Sequence, residues 1–402
     1  MTTITHPALR GRSDHVSAAR RRRKLVPGVA TGASWVLLSV VTVLTMIGLI
    51  MVMSASSVVS VRASGMPWSY FQRQLLWTGI GLIGMAVAVT VSIDFWRRRA
   101  RLMLFGSVGL LVLVLVPGVG STANGATRWI SLGPVQLQPS ELAKFALLVF
   151  IADLLDRRAQ RMSDWRWGLV PVLAYLGLVS GLVMMQPNLG TTIIICTMVL
   201  AVLWAAGNPL GTLAAAGAAM AAVAGAFVAL TPFRRARYTM FLDPMKDPYN
   251  QGLQNVQSMV ALANGGLFGR GLGRSTVKWG YLPYAWTDFI FAVIGEEFGM
   301  LGAMTVVLLF LALAVIGVYI ASQARDRFSM LLAVGITAWL SIQALMNIAA
   351  VVRLMPITGI PLPFISFGGS AMVVNLTAVG LLLNIARHPA SAAPARAARS
   401  SR

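Results

Sequence analysis

Twelve carboxylates and three histidines are the side chains in this 402-residue sequence that ordinarily act as general bases, and their placement narrows the chemistry. His6, His15 and His388 lie in or beside the terminal tails, and Asp14, Asp94, Asp153, Asp156, Asp164 and Asp326 belong to segments on the same side of a membrane. Glu141, Asp243, Asp247, Asp288, Glu296 and Glu297 fall on or near the other half. A reaction there has no histidine and must take its base from a carboxylate. The densest run is Tyr281-Leu-Pro-Tyr-Ala-Trp-Thr-Asp288-Phe-Ile-Phe-Ala-Val-Ile-Gly-Glu296-Glu297, followed by an apolar stretch over 298–320. If one helix runs through both, Asp288 stands about 13 Å before that stretch, at headgroup level rather than mid-bilayer. It then shares a face with Ala292, Gly295, Gly299 and Gly302, which lets a neighbouring helix approach closely. An ionisable residue at such depth is usually functional; the alternative is a helix-start aspartate favoured by the dipole. Glu296 and Glu297 lie about 100° apart on the helix, so one faces a cavity while the other pairs, or both form structural ion pairs.

Three segments open helices on that same half: Gln138-Pro-Ser-Glu-Leu-Ala-Lys144, Gln186-Pro-Asn-Leu-Gly-Thr-Thr192 and Pro361-Leu-Pro-Phe-Ile-Ser-Phe-Gly-Gly-Ser370. Proline suits a helix's first turn, and free N–H groups at converging helix starts suit phosphate. The candidate binding positions there are Ser140, Glu141, Lys144, Gln186, Asn188, Thr191, Ser366, Gly369 and Ser370. Glu141 and Lys144, three apart on one helix, equally form a structural pair. The loop 231–287 carries Arg234, Arg235, Arg237, Lys246, Arg270, Arg274 and Lys278 against Asp243 and Asp247, which fits an anionic partner or lipid headgroups. Its glycine-rich stretch Asn264–Gly273 allows close backbone approach and has no P-loop pattern.

Composition identifies the elements that position these groups. The chain is 57% hydrophobic and 11% charged, with mean hydropathy +0.75; a soluble chain carries about twice that charged fraction. Hydropathy predicts an all-α, polytopic integral membrane protein with ten spans at 35–53, 74–91, 102–116, 142–155, 168–185, 190–206, 211–230, 298–320, 329–352 and 369–386. Basic residues cluster in the N-terminal tail, at 97–101, 157–166 and 325–327, and in the C-terminal tail, so the positive-inside rule puts both termini in the cytoplasm. The net charge of +21 is therefore topological, and nucleic acid is not the expected partner. The division predicted is a basic, disordered tail over 1–34 attracted to membrane lipid, a membrane domain over 35–386 and a second disordered tail over 387–402. Cys196 is the single cysteine, so no intrachain disulfide forms.

Together these motifs resemble the SEDS (shape, elongation, division and sporulation) family of cell-wall polymerases over nearly the whole spanning region. The resemblance rests on the three helix starts, on Asn124-Gly-Ala-Thr-Arg-Trp-Ile-Ser-Leu-Gly133 and on Thr287-Asp-Phe-Ile-Phe-Ala-Val-Ile-Gly-Glu-Glu297, and it is nearer the division branch than the elongation branch. It implies a ten-span peptidoglycan glycosyltransferase that polymerises lipid II at the outer face of the bacterial plasma membrane, at the division septum. It implies as partners a class B penicillin-binding protein, the cross-linking transpeptidase, and other division proteins. The family's essential aspartate corresponds to Asp288. In this reading Asp288 takes the proton of an acceptor 4-hydroxyl as it attacks the donor's anomeric carbon, and undecaprenyl pyrophosphate leaves with inversion. Arg128, the loop arginines (Arg234 and Arg274 foremost), Lys278 and the helix starts at Ser140, Thr191 and Ser370 are the groups expected to stabilise the leaving pyrophosphate. The sequence identifies no cofactor; a divalent cation, Mg or Mn, at the pyrophosphate is compatible, with no ligand cluster to locate it. Tyr284 and Trp286 stand where the family has Glu and His, and Asn188 where it has Asp. A lipid II flippase and a non-catalytic division scaffold are the rival classes. A transporter predicts midplane charges and internal repeats, whereas the polar motifs here gather at one face, as an enzyme requires.

Overall fold

The computed structural model describes residues 31–123, 126–132, 135–161, 165–250 and 252–389. The two predicted tails lie almost wholly outside the described residues, as do Asn124 and Gly125 of the Asn-Gly-Ala motif. The order is α1 (Gly32–Ser64), α2 (Ser69–Thr90), α3 (Ile93–Leu115), β1 (Gly120–Ala123), β2 (Ala126–Leu132), β3 (Val135–Leu137), α4 (Pro139–Arg157), α5 (Trp165–Met185), α6 (Leu189–Ala205), α7 (Leu210–Leu230), α8 (Pro232–Leu242), α9 (Leu253–Gly265), α10 (Ile290–Ser322), α11 (Arg327–Val351) and α12 (Gly369–Ala386). Helices cover all ten predicted segments. Seven of them are long and apolar enough to cross a membrane, and α6 is a shorter apolar helix. The charges of α3 and α4 hold those two helices together: Arg97 on α3 donates to Asp153 at 2.8 Å and Asp156 at 2.6 Å on α4, and Arg157 bonds Asp153 at 2.8 Å.

Burial is graded across the bundle. Helices α4, α11 and α12 are buried along nearly their whole length, whereas α7 buries only Leu213 and Val228. The outer helices keep large apolar side chains exposed, as a lipid-facing surface demands. The departure from an all-helical chain is a three-stranded antiparallel sheet, β1-β2-β3, with Ile130 opposite both Gly120 and Leu137. It sits between α3 and α4 and carries Arg128 on its central strand.

One expectation about the acidic segment is corrected. No continuous helix joins Asp288 to the apolar run, because Asp288 precedes the helix and Gly299 interrupts it with φ 68° and ψ −165°. That conformation is open to glycine alone. The glycine-rich segment fills the break. Arg270 and Gly271 donate their backbone N–H to Glu296 O and Glu297 O at 3.0 and 2.9 Å, and Met300 donates to Gly266 O at 2.9 Å. A Cβ on Gly299 would collide with the backbone of Gly269 and Leu267. The close approach expected of this stretch is therefore made to the interrupted helix. The break divides α10 into a buried half, 290–297, and a longer half, 300–322, that keeps many apolar side chains exposed.

Gly299→Val should destabilise the protein by about 1–3 kcal/mol through backbone strain alone, and by more through the clash. Thermal unfolding in detergent should show a lowered midpoint. Gly106→Ala, a helical position with nothing within 4 Å of an added Cβ, should leave the midpoint unchanged or raise it.

Candidate active site

Asp288 lies at the end of a tight turn that the rest of the bundle holds from three sides. Tyr284, with φ 61°, accepts from the N–H of Thr287 at 3.1 Å and of Phe289 at 3.4 Å, so the chain doubles back just before α10. From α11, Asn347 Nδ2 donates to Asp288 O at 2.8 Å and to Ile360 O at 2.7 Å. From the segment before α12, Ser366 Oγ donates to Thr287 O at 2.6 Å and accepts from Leu362 N–H at 2.8 Å, while Phe367 N–H donates to Trp286 O at 3.0 Å. From α2, Gln74 Nε2 donates to Ser366 O at 3.2 Å and its Oε1 accepts from Gly368 N–H at 3.3 Å. Trp286 packs against Tyr70, ring centroids 5.6 Å apart.

The side chain of Asp288 is half-buried in a recess shared with Phe289, Asn347, Thr358, Gly359 and Ile360. Gly359, whose φ of +70° favours glycine, lines the wall beside the carboxylate; a Cβ there would meet Asp288 Oδ2 at 3.5 Å, an ordinary contact. Burial pushes the carboxyl up to about 6, and the positive charges of Arg237 and Arg128 hold it from rising further. Arg237, exposed on α8, reaches Ile357 O at 3.5 Å, and its charge and that of Asp288 favour one another. Arg128 donates through Nε to Gln186 O at 3.1 Å and through Nη2 to Pro187 O, which ties β2 to the start of α6. The arrangement offers one poised carboxylate in an otherwise cationic setting, able to accept a proton beside an anionic group.

The three helix starts do meet at this end, but their polar side chains join backbone to backbone. Ser370 Oγ accepts from Gln138 N–H at 3.0 Å and donates to Gln136 O at 3.2 Å. Asn188 caps α6 by accepting from Thr191 N–H at 3.2 Å, and Gln186 Nε2 donates to Leu111 O at 3.1 Å. An aspartate at 188 would accept that same cap bond. Gly369 lies against the ring of Trp77, and Ser140 Oγ is buried with no hydrogen-bond partner among the described residues. Glu141 and Lys144 pair at 3.0 Å, both nearly inaccessible. Glu296 accepts from Ser275 Oγ at 2.6 Å and Thr276 N–H at 3.0 Å, and faces Arg270 at 3.5 Å. Glu297 accepts from Ser54 Oγ at 2.7 Å and faces Lys278 at 3.4 Å. Lys278 is buried and donates to Gly273 O at 2.6 Å, so in this conformation its ammonium clasps the loop to α1 and α10. Arg274 is exposed, and the side chain of Arg234 lies outside the described residues. Asn347 escaped the sequence reading, and Arg237 entered it only as one of the loop arginines. Arg237 is one of several loop arginines that sequence does not rank, whereas Asn347 and Gln343, one turn apart within an apolar helix, were a legible signal.

Among the described residues no group of three His, Cys, Asp or Glu is placed to hold a metal ion. The charges that bear on Asp288 are the guanidinium groups of Arg237 and Arg128.

The family model for the FtsW, RodA and SpoVE group, described as "Cell cycle protein", matches residues 34–391. The "Probable peptidoglycan glycosyltransferase FtsW" of Mycobacterium tuberculosis (strain ATCC 25618 / H37Rv) is 41% identical over 367 residues, covering 91% of this chain and 70% of that one. "Stage V sporulation protein E" of Bacillus subtilis (strain 168) is 40% identical over 353 residues, covering 88% and 96%. Among solved structures, the rod shape determining protein RodA of Thermus thermophilus superposes with TM-score 0.63 at 28% identity, covering 88% of this chain and 96% of that one. A chain from "Structural coordination of polymerization and crosslinking by a peptidoglycan synthase complex" superposes with TM-score 0.73 at 28% identity, covering 88% and 97%.

Removing a guanidinium next to Asp288 takes away a stabiliser of its charged form, so the carboxyl pKa must rise. Infrared difference spectra against Asp288→Asn should show the carboxyl titrating near pH 6 in the parent protein and at higher pH in Arg237→Gln. An unmoved or lowered midpoint would contradict the electrostatic reading of the site.

Proposed function

We propose, from the premise that this chain belongs to the FtsW/RodA/SpoVE family of cell cycle proteins, that it polymerises lipid II with Asp288 as the general base. The protein is a multi-pass membrane peptidoglycan glycosyltransferase of the division type. The observation that carries the role of Asp288 is a half-buried carboxylate, raised to about 6, facing two guanidinium groups where irregular backbone gathers at one end of an apolar bundle.

The acceptor sugar's 4-hydroxyl enters the recess and its oxygen attacks the anomeric carbon of the donor. The carbon–oxygen bond to undecaprenyl pyrophosphate breaks, the electron pair leaves with the pyrophosphate, and the hydroxyl proton passes to Asp288. A single displacement inverts the anomeric centre. Asp288 is a stronger base than an ordinary aspartate, yet far weaker than an alkoxide, so the proton moves late, as the new bond forms. Charge grows on the departing pyrophosphate, and Arg237 and Arg128 are the cations that answer it. A divalent cation would neutralise the same charge, with ligands drawn from the pyrophosphate.

Ten spans with both termini cytoplasmic put Asp288 at the outer face and the Arg97–Asp153–Asp156 network inside, consistent with the positive-inside rule. The partner of this reading is a class B penicillin-binding protein that cross-links the strand at the division septum. The similarity to a chain of a synthase complex that couples polymerization and crosslinking supports it.

The test uses purified protein with its transpeptidase, labelled lipid II and gel separation of the product. Asp288→Ala should lower strand synthesis by about 10²–10⁴-fold while the complex still assembles. Normal glycan ladders from that variant would overturn the assignment, and flipping of lipid II in liposomes without polymer would favour the transporter class.

A further inference from the structure

Helices α4 and α11 bury a charged group that the scheme above leaves unused. Lys144, 1% exposed, pairs with Glu141 Oε1 at 3.0 Å, lies 4.8 Å over the ring of Trp339 and donates to Gln343 Oε1 at 3.0 Å. A buried ion pair is no more stabilising than well-packed apolar side chains of the same volume, so its presence calls for another explanation.

The hydrogen-bond directions supply one. Gln343 Oε1 receives two donors, the Lys144 ammonium and Trp339 Nε1 at 2.9 Å. Neither group can accept, so the atom between them must be the amide oxygen. The Gln343 amide is thereby fixed, with Nε2 turned to Pro361 O at 2.9 Å. One turn along α11, Asn347 Nδ2 sits between Ile360 O and Asp288 O at 2.7 and 2.8 Å, and two carbonyls require a nitrogen there as well. Charge on α4 thus orients a side chain on α11, and α11 holds both the wall of the recess and the backbone of the acid.

We infer that Lys144, Gln343 and Asn347 are positioning residues that fix the backbone of Asp288 and of 360–361, and so the distance between the base and the wall opposite it. Lys144 touches no reacting atom; it acts through Gln343. This rests on the reading of Asp288 as the base.

Two variants separate positioning from plain stability. Gln343→Glu keeps the size and the acceptors for Lys144 and Trp339 but sets a carboxylate oxygen against Pro361 O. Lys144→Met with Glu141→Gln keeps volume and neutrality but frees the Gln343 amide to turn. Each, assayed as the transpeptidase complex with lipid II, should lose about a hundredfold in kcat, the cost of an ångström-scale misplacement, with KM near that of the parent. Folded yield by size exclusion should stay near that of the parent for at least the double variant, which decides the matter should Gln343→Glu not fold. Parental kcat per folded molecule in the double variant, or a loss confined to KM or to folded yield, would overturn the inference. Full activity of Asp288→Asn would instead remove the reading beneath it, and that control is run alongside.

Discussion

A peptide group that leaves a helix inside an apolar bundle loses both water and its helical partner, and each unpaired N–H or C=O there costs several kcal/mol, on the order of 2–7 depending on the reference state. Two irregular segments, 284–289 and 357–368, meet against α11, and a third, 266–271, fills the break in α10; the rest of the structure serves that constraint. Side-chain amides on regular helices, and one hydroxyl within the irregular segments themselves, answer it. Gln74, Gln343, Asn347 and Ser366 supply donors to Ser366 O, Pro361 O, Asp288 O, Ile360 O and Thr287 O, and the ends of the broken α10 bond directly to the glycine-rich segment. Backbone that would otherwise be a liability becomes a rigid frame around one carboxylate.

The frame also sets the electrostatics. Packing around Asp288 disfavours its charged form, and Arg237 and Arg128 restore part of what burial removes. The balance leaves a carboxyl that is ionised at neutral pH yet more basic than usual, a condition that suits a proton acceptor. The arginines reach it from elements of different character. Arg128 rides on a strand tied to the start of α6 by carbonyl contacts, whereas Arg237 rides on α8, an amphipathic helix beyond the sparsely buried α7. The buried acids Glu296 and Glu297 belong to a separate clasp, holding 270–278 to α10 and α1.

Hydropathy made the helices legible, because lipid exposure leaves little choice of residue, and the pairing of Glu141 with Lys144 followed from their spacing. The acidic run was readable as chemistry because few carboxylates lie on that half of the chain. The break at Gly299 was not readable, since a glycine is tolerated within a helix and only the insertion of 266–271 demands the kink. The small sheet was missed because its strands, of 3 to 7 residues, are too short to show a periodic pattern. The helix starts were read as open anion sites. Ser370 instead bonds the backbone at 136–138, Gln186 reaches Leu111 O and Asn188 caps its own helix, which depends largely on how distant segments pack. Arg237 could not be told from Arg234 or Arg235 without the course of α8.

The account stands on Asp288 being open to the cell's exterior within a recess that the lipid-linked substrate enters. Cysteine accessibility tests this directly, with Asp288→Cys in a Cys196→Ala background treated in intact cells with a membrane-impermeant thiol reagent. The account predicts labelling from outside that added lipid II slows. Labelling only after the cytoplasmic face is exposed would contradict it.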